Sequence, residues 1–312
     1  MSRYLVGRLT QALGVMLAVA TLTFFVLNIV PGDPVRVMLG DRASEQAVEQ
    51  VRHQMGLDRP VPEQYASWLG DLLRGELGVS YAQRRPVAEL VTAAVSHTAR
   101  LAVGAFGLAL LLGVVTGTVA ALARGSWLDR GLMTLAVAGI SAPAFWMAIA
   151  LQLVFSLHLG WFPLSGTSGG GAYALPIVAL GTRQAASIAR VTRSALLEQT
   201  GSDYLRTAVA KGLGRRTALL RHGMRNALVP IIAICGAQLG DIFAGSIIVE
   251  TVFGIPGVGS LLVKAIGQRD LPLIEGCVMY VAFACVAAYL MSDLLYALVD
   301  PRVRLGGRST SW

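Results

Sequence analysis

Six stretches of this chain are long and apolar enough to cross a lipid bilayer as helices: residues 9–30, 99–123, 132–157, 174–193, 227–249 and 274–299. A hydrocarbon core about 30 Å thick takes roughly 20 predominantly apolar residues at helical rise. Apolar residue types make up 54% of the 312 residues and charged types only 14%, against about 25% charged in soluble domains. Backbone groups in lipid must be satisfied internally, and runs of this length satisfy them as α-helices rather than barrel strands. The fold class read from the sequence is therefore an all-α membrane protein with six transmembrane helices. The fourth run is the weakest, because Arg183 and Gln184 sit inside it. The first opens like a signal peptide, with Arg3, Arg8 and a small-residue Ala18-Val-Ala20 site. Its apolar run continues to Val30, longer than a signal-peptide core, and is read as a retained helix.

The formal charge of +8 is unevenly placed. The loop over residues 31–97 holds seven Arg against nine Asp and Glu, and the loop over 160–173 holds no charge. The alternate segments hold Arg3, Arg8, Arg124, Arg130, a cluster from Arg190 to Arg225, and Arg302, Arg304 and Arg308, with few acids. By the positive-inside rule this predicts both termini in the cytoplasm. The basic residues track topology, which leaves no case for nucleic-acid binding. Cys235, Cys277 and Cys285 lie within apolar runs without metal-ligand spacing, and are read as small apolar fillers.

The loop between the fourth and fifth runs is unlike a simple connection. Tyr204, Leu205, Ala208 and Val209 share one helical face, Gly212 and Gly214 interrupt, and Leu219, Leu220, Gly223 and Met224 repeat the spacing. Arg206, Lys211, Arg215, Arg216, Arg221 and Arg225 are interleaved, with Asp203 the only acid. Two short amphipathic helices of this kind predict a surface that docks another protein. On the opposite side, Pro31-Gly-Asp-Pro34 ends the first run, Ser44 is a candidate N-cap, and a helix starts at Pro62. The stripe Tyr65, Trp68, Leu69 and Leu72 suits either the membrane interface or the tops of the spans. Gly254-Ile-Pro-Gly-Val-Gly259 lacks the Lys-Ser/Thr of a phosphate loop and predicts a tight turn into a short helix near residues 261–266.

No nucleotide-binding, zincin or nucleophile-elbow motif occurs, and His53, His97, His158 and His222 are not spaced as ligands. The sequence argues against catalysis in this chain. Arg183 and Asp241 lie deepest within apolar runs and are candidates for a polar translocation pathway or for a structural ion pair. Glu275 and Asp293 lie nearer the ends of the last run, where reaching water is cheaper. Gly113-Val-Val-Thr-Gly117 and Gly236-Ala-Gln-Leu-Gly240 have the spacing of close helix contacts, a signal too common to assign a dimer face. Pro143 predicts a kink in the third run.

Taken together the motifs resemble the permease subunits of ATP-binding-cassette importers for dipeptides, oligopeptides and nickel. The likeness runs through Arg3-Tyr-Leu-x-x-Arg8-Leu, Pro31-Gly-Asp-Pro34, Gly56-Leu-Asp-Arg-Pro60, Gly75-Glu-Leu-Gly-Val-Ser80, Arg85-Pro-Val87, Gly160-Trp-Phe-Pro163 and Arg190-Val-Thr-Arg-Ser194. It is most specific over Asp203-Tyr-Leu-Arg-Thr-Ala-Val-Ala-Lys-Gly-Leu213 and Arg225-Asn-Ala-Leu-Val-Pro230, and closes with Asp293-Leu-Leu-Tyr-Ala-Leu-Val-Asp-Pro-Arg302.

The resemblance implies a type I importer permease working by alternating access. It divides the chain into residues 1–30, an extracytoplasmic loop 31–98 and a permease core 99–312 with a coupling loop at 194–226. Its implied partners are a second homologous permease, two ATPase subunits that hold ATP and Mg²⁺, and an extracytoplasmic binding protein; no cofactor is implied in this chain. Asp203, Arg206, Thr207, Ala208, Lys211, Gly212 and Leu213 would form the coupling site, with Leu205, Val209 and Leu213 packing on the ATPase. Arg206 stands where the general pattern has Glu, and His222-Gly-Met-Arg225 replaces its Ile-x-Leu-Pro, departures typical of the peptide branch. Ala208→Glu or Gly212→Asp is expected to uncouple transport. Dipeptides or oligopeptides are the preferred substrate, with nickel or glutathione as alternatives. A stand-alone secondary transporter would need inverted repeats and discontinuous helices, and an intramembrane enzyme a nucleophile and base.

Overall fold

Helix boundaries fall where the sequence supplies breakers and caps. The computed structural model describes residues 2–29, 34–40, 43–54 and 56–299. Residues 31–33 of the expected first turn and the basic C-terminal stretch 300–312 lie outside the described residues. Helix α1 (Ser2–Ile29) leads to α2 (Pro34–Leu39), α3 (Glu45–Gln54) and α4 (Val61–Leu73). Ser44 caps α3, its Oγ accepting from Ala47 N at 3.3 Å. Pro60 and Pro86 hold the extended backbone that starts α4 and α5 (Val87–Leu122), so the second spanning helix begins well before residue 99. Next come α6 (Trp127–Ser141) and α7 (Ala144–Leu151), which runs on as a π-helical segment, Gln152–His158. Helices α8 (Ala174–Gln199), α9 (Asp203–Ala210) and α10 (Arg215–Ala218) follow. A π turn, Leu219–Gly223, joins α10 to α11 (Met224–Phe253), and α12 (Val258–Gly267) and α13 (Leu271–Val299) complete the chain. Among the described residues no strand forms; one isolated antiparallel bridge joins Val79 and Pro86.

Four helical stretches have the length and apolarity of membrane spans: Val6–Leu27, Val87–Leu122, Arg215–Phe253 and Leu271–Leu295. Helices α6 and α7 meet at 104°. Asp129, in the first turn of α6, binds Arg193 near the end of α8. Gln152, where α7 passes into its π segment, instead donates to Leu164 O at 2.6 Å and Val252 O at 3.5 Å, beside the end of α11. The α6–α7 pair therefore crosses from one end of the bundle to the other, with its corner inside the crossing. The kink expected at Pro143 is a full break, because Pro143 lacks the N–H to continue α6 and holds Ala142 extended. Helix α8 is too polar to pass as a lipid-facing span, carrying Arg183, Arg190, Arg193 and Glu198. It still runs end to end, packed among α5, α6, α7 and α11.

The tightest packing is between α5 and α8, which run parallel. Gly104 lies opposite Ile177, Gly113 opposite Ile188, and Gly117 opposite Ala189 and Thr192. A Cβ on Gly113 would sit 2.6 Å from Ile188 Cβ, and one on Gly117 2.5 Å from the Ala189 carbonyl oxygen. The backbones touch at a distance only glycine permits. The Gly113–Gly117 spacing thus serves a contact within the chain. The second pair does likewise, since Gly236 and Gly240 receive Ser292 and Tyr289 of α13.

At the end of the bundle away from α9, two fully buried carboxylates organise the turns. Glu250 Oε1 accepts from Thr98 Oγ1 at 2.8 Å and its Oε2 from Ser260 N at 3.1 Å, while Thr98 Oγ1 accepts from Val258 N at 2.9 Å. One side chain on α11 thereby ties α5 to the open N-terminus of α12. The glycines that imitated a phosphate loop make room for it, because a Cβ on Gly257 would lie 2.4 Å from the Glu250 carboxyl carbon. Asp270 does the same for α13: it accepts from Leu273 N in the first turn at 3.4 Å, and from Tyr81 N at 3.0 Å, Ala82 N at 3.1 Å and Ser80 Oγ in the loop before α5. Burial, then the Glu275 and Asp270 carboxylates, raises the Tyr81 phenol above its ordinary range. The stripe on α4 packs onto the spans: Tyr65 and Thr21 hydroxyls are 2.8 Å apart, and Trp68 Nε1 donates to Glu275 Oε2 at 2.7 Å.

Gly117→Ala should cost about 1–3 kcal/mol by forcing α5 from α8. Gly107, on the same helix with nothing near its Cβ position, should gain up to about 1 kcal/mol when changed to Ala. Thermal unfolding of the two purified variants in detergent checks the contrast.

A candidate coupling surface

The chain leaves α8 through a short turn in which Thr200 N donates to Leu197 O and Ser202 Oγ to Gln199 O at 2.7 Å. Tyr204 Oη donates to Gln199 Oε1 at 2.7 Å, fixing the entry angle of α9. The helix ends in a Schellman arrangement: Leu213 N donates to Ala208 O at 3.2 Å and Gly212 N to Val209 O at 3.0 Å. Gly212 has φ +91°, a conformation L side chains rarely adopt. Gly214 has φ −60° and serves as the N-cap of α10, so only Gly212 requires glycine for its backbone.

Helix α9 has two faces. Leu205 and Ala208 are buried in a cluster with Ile188, Leu196, Ala218, Leu219 and Ile231, and Leu213 packs beside them. Tyr204, Arg206, Thr207, Val209, Ala210 and Lys211 are exposed. This divides the expected packing set, because Leu205 faces the bundle and Val209, 44% exposed, faces away. Ala208, 8% exposed, sits against the bundle as well, so a charge there would unseat α9 before affecting any docked partner. Asp203 and Arg206 pair across the helix at 3.7 Å on exposed side chains, worth little in water. Thr207 Oγ1 returns to Asp203 O at 2.9 Å. Between α9 and α10 lies a cleft of about 490 Å³ bordered by Arg206, Val209, Ala210 and Arg215.

The second short helix expected from the sequence is not separate. From Arg215 to Phe253 the chain is helical throughout, with the π turn at 219–223 holding His222 and the buried Gly223. Pro230 therefore lies inside α11, past its first turn. The exposed Arg215, Arg216, Arg221 and Arg225 continue the cationic surface up this helix.

Above α9, α8 and α11 run antiparallel, with Leu180 against Gly245 and Gln199 against Gly223. That register sets Arg183 level with Asp241. Both are exposed, and among the described residues no ion pair joins them. Arg183, Ser187, Arg190, Ser194 and Glu198 fall at helical spacing on one face of α8. The last four border a groove of about 340 Å³ against Pro230 and Ile234 of α11.

Sequence reasoning missed the strongest polar contact here. Arg193 Nε donates to Asp129 Oδ1 at 2.6 Å and Nη2 to Oδ2 at 2.8 Å, a bidentate pair with the Asp129 side chain only 4% exposed. Gly125 N also donates to Asp129 Oδ2 at 3.0 Å. The pair fixes the start of α6 to the end of α8, just before the turn into α9. Its signal was the second Arg of Arg190-Val-Thr-Arg193, read as topology rather than as a clamp. Glu250 was missed because it lies one residue beyond the expected fifth run. Asp293, expected to reach water, pairs with Arg8 of α1 at 3.2 Å.

The fold and this surface define a polytopic α-helical membrane protein with one short helix seated on an end of its bundle. The sequence profile described as binding-protein-dependent transport system inner membrane component matches residues 113–305, and its N-terminal companion profile matches residues 1–102. The chain belongs to this family and is an ATP-binding-cassette importer permease. It is 40% identical over 312 residues to a protein of Brucella abortus (strain 2308) named as a peptide transport system permease, covering 97% of this chain and 99% of that one. It is 38% identical over 304 residues to the glutathione transport system permease protein GsiC of Escherichia coli (strain K12), with the same coverage. The inward-facing MetNI methionine ABC transporter matches with a TM-score of 0.59 at 18% identity, covering 68% of this chain and 97% of the matched one. That likeness supports the type I importer permease architecture.

Arg193→Ala should lower stability by up to about 3 kcal/mol, because it leaves a buried carboxylate unpaired. Asp129→Asn in the same chain should restore part of the loss, a coupling measured by a double-mutant cycle of thermal unfolding in detergent.

Proposed function

We propose that this chain is one half of the membrane-spanning unit of a peptide importer, driven by ATP hydrolysis in separate subunits. The carrying observation is the two-faced α9: two buried side chains root it in the bundle core, and a cationic and apolar face is left free. That is the form expected of a lever that receives force from a docked ATPase. Val209 and Ala210 supply apolar contact, and Arg206, Lys211 and Arg215 meet carboxylates on the partner. In this reading α9 and both termini are cytoplasmic, which the charge asymmetry supports, and the α3–α4 and α12 end is outside, where a binding protein delivers substrate. A second homologous permease covers the α8–α11 face. Arg183 and Asp241, level on that face and continuous with its polar groove, line the pathway that opens alternately to either side.

Short peptides are the preferred cargo, since the two relatives are named for peptide and glutathione transport and glutathione is itself a tripeptide. Proteoliposomes holding the whole importer and its binding protein should accumulate dipeptides or glutathione on ATP addition; Ni²⁺ uptake without peptide uptake would overturn the substrate reading.

Val209→Glu should leave the permease's own thermal stability unchanged yet reduce ATP-driven uptake at least about tenfold, the effect of losing roughly 1.4 kcal/mol of docking. The ATPase subunits should co-purify poorly with it. Ala208→Glu should in addition lower the stability of the permease alone. Normal uptake by the Val209→Glu importer would remove the docking role.

A further inference from the structure

A cavity of about 400 Å³ lies at the end of the bundle away from α9, apart from both the coupling surface and the α8–α11 groove. Helix α1 contributes Phe24, α4 contributes Trp68, α13 contributes Glu275 from its second turn, and Arg59 stands in the loop before α4. Its volume is in the range of sites for small organic ligands. The cavity is built, not a gap between loose elements. Gln64 Nε2 donates to Arg59 O at 2.8 Å and Leu57 O at 3.2 Å, holding the rim loop to α4. Phe24 and Trp68 stand with ring centroids 5.5 Å apart, and Trp68 Nε1 binds Glu275 Oε2 at 2.7 Å.

The charges inside are not used up by the fold. Glu275 has Trp68 as its donor, and among the described residues its Oε1 has no protein partner. Arg59 forms no ion pair among the described residues, while Asp71, also bordering the cavity, is engaged by Arg74 at 3.4 Å. A carboxylate seated beside aromatic rings suits a cation, which gains from both the charge and the ring faces. A guanidinium at the rim suits an anion on the same molecule.

We propose that this cavity binds a small zwitterion through its primary ammonium group, with Glu275 as counter-ion, Phe24 and Trp68 as the apolar wall, and Arg59 taking the anionic end. Two sources carry this chemistry, a short peptide on the outer face and the headgroup of an ethanolamine phospholipid. The first rests on the peptide-import reading; the ammonium site itself does not.

The test uses the complete importer in phosphatidylcholine nanodiscs, without binding protein or ATP, titrated calorimetrically with Ala-Ala, N-acetyl-Ala-Ala and ethanolamine. Ala-Ala and ethanolamine should bind, and acetylation should weaken Ala-Ala at least about tenfold, the loss expected when one charge contact is removed. Glu275→Gln keeps the acceptor for Trp68 and should weaken both ammonium ligands by a similar factor. Arg59→Gln, on an exposed side chain, should weaken Ala-Ala but not ethanolamine, and keeps the test open should Glu275→Gln fail to fold. Nanodiscs containing phosphatidylethanolamine that abolish Ala-Ala binding to the wild type would assign the site to the lipid. Equal binding by wild type and Glu275→Gln, or no binding of either ammonium ligand to the wild type, would overturn the proposal. Failure of peptide uptake in proteoliposomes, with ethanolamine still bound through Glu275, would instead count against the substrate reading alone.

Discussion

The parallel contact of α5 with α8 is the constraint from which the rest of the bundle follows. Gly113 and Gly117 on α5 and Gly181 on α8 let two helix backbones touch along much of their length. Because the two helices run in the same direction, the chain between them must return across the bundle, and the α6–α7 pair does so although Pro143 breaks it by 104°. The same contact brings the ends of α5 and α8 together. The buried cluster at that end includes Ala121, Ala195 and Leu196, and it is the seat on which Leu205 and Ala208 of α9 rest. A helix of only eight residues such as α9 has little stability of its own. Its position is borrowed from this base.

Helix α9 is also joined to the spanning helices by short, specified links. On one side the turn at residues 200–202 binds it to α8, whose end is clamped by Arg193 to Asp129. On the other, the Gly212 turn leads within two residues to a helix that continues unbroken in helical character to Phe253. The π turn at 219–223 is the one irregularity in that helix besides Pro230, and π turns mark places where helices flex or carry function. At the far end of the same helix Glu250 holds α12 and α5. One continuous element thus connects the proposed docking surface to the turns at the opposite face. A displacement at α9 has a direct mechanical route to both.

The spans, the amphipathic α4, the short α12 and the α9 loop were legible because each writes its burial into spacing or apolar run length. What the sequence hid were contacts between residues far apart in the chain. Nothing local distinguishes Arg193, which clamps Asp129, from Arg190 three positions earlier, which is exposed. Glycine spacing at Gly113 and Gly117 announced a close helix contact but not which helix. Gly257 and Gly259 resembled a ligand loop because a buried carboxylate and a phosphate make the same demand for room and backbone donors. The second short amphipathic helix was misread as separate because Gly214 signals a helix start whether or not that helix continues into the next span. Leu205 and Val209 show the limit most plainly: periodicity placed both on one α9 surface, whereas the bundle buries one and leaves the other free.

Charged residues of α8 and α11, with Asp129 of α6, sort into two groups, and the division bears on what the single chain leaves incomplete. Glu250, Asp129 and Arg193 are satisfied by partners within the chain. Arg183, Arg190, Glu198 and Asp241 are exposed on one side of α8 and α11, and among the described residues no ion pair takes them up. On α11, Ala233, Ala237, Asp241 and Ala244 present small side chains at helical spacing, so Asp241 stands clear of its neighbours. Lipid tails cannot solvate such groups cheaply, whatever the exact cost. A face of this composition is stable only against water or against another protein. The proposed heterodimer supplies both, closing the α8–α11 face with a second permease and leaving a hydrated path where the charges stand.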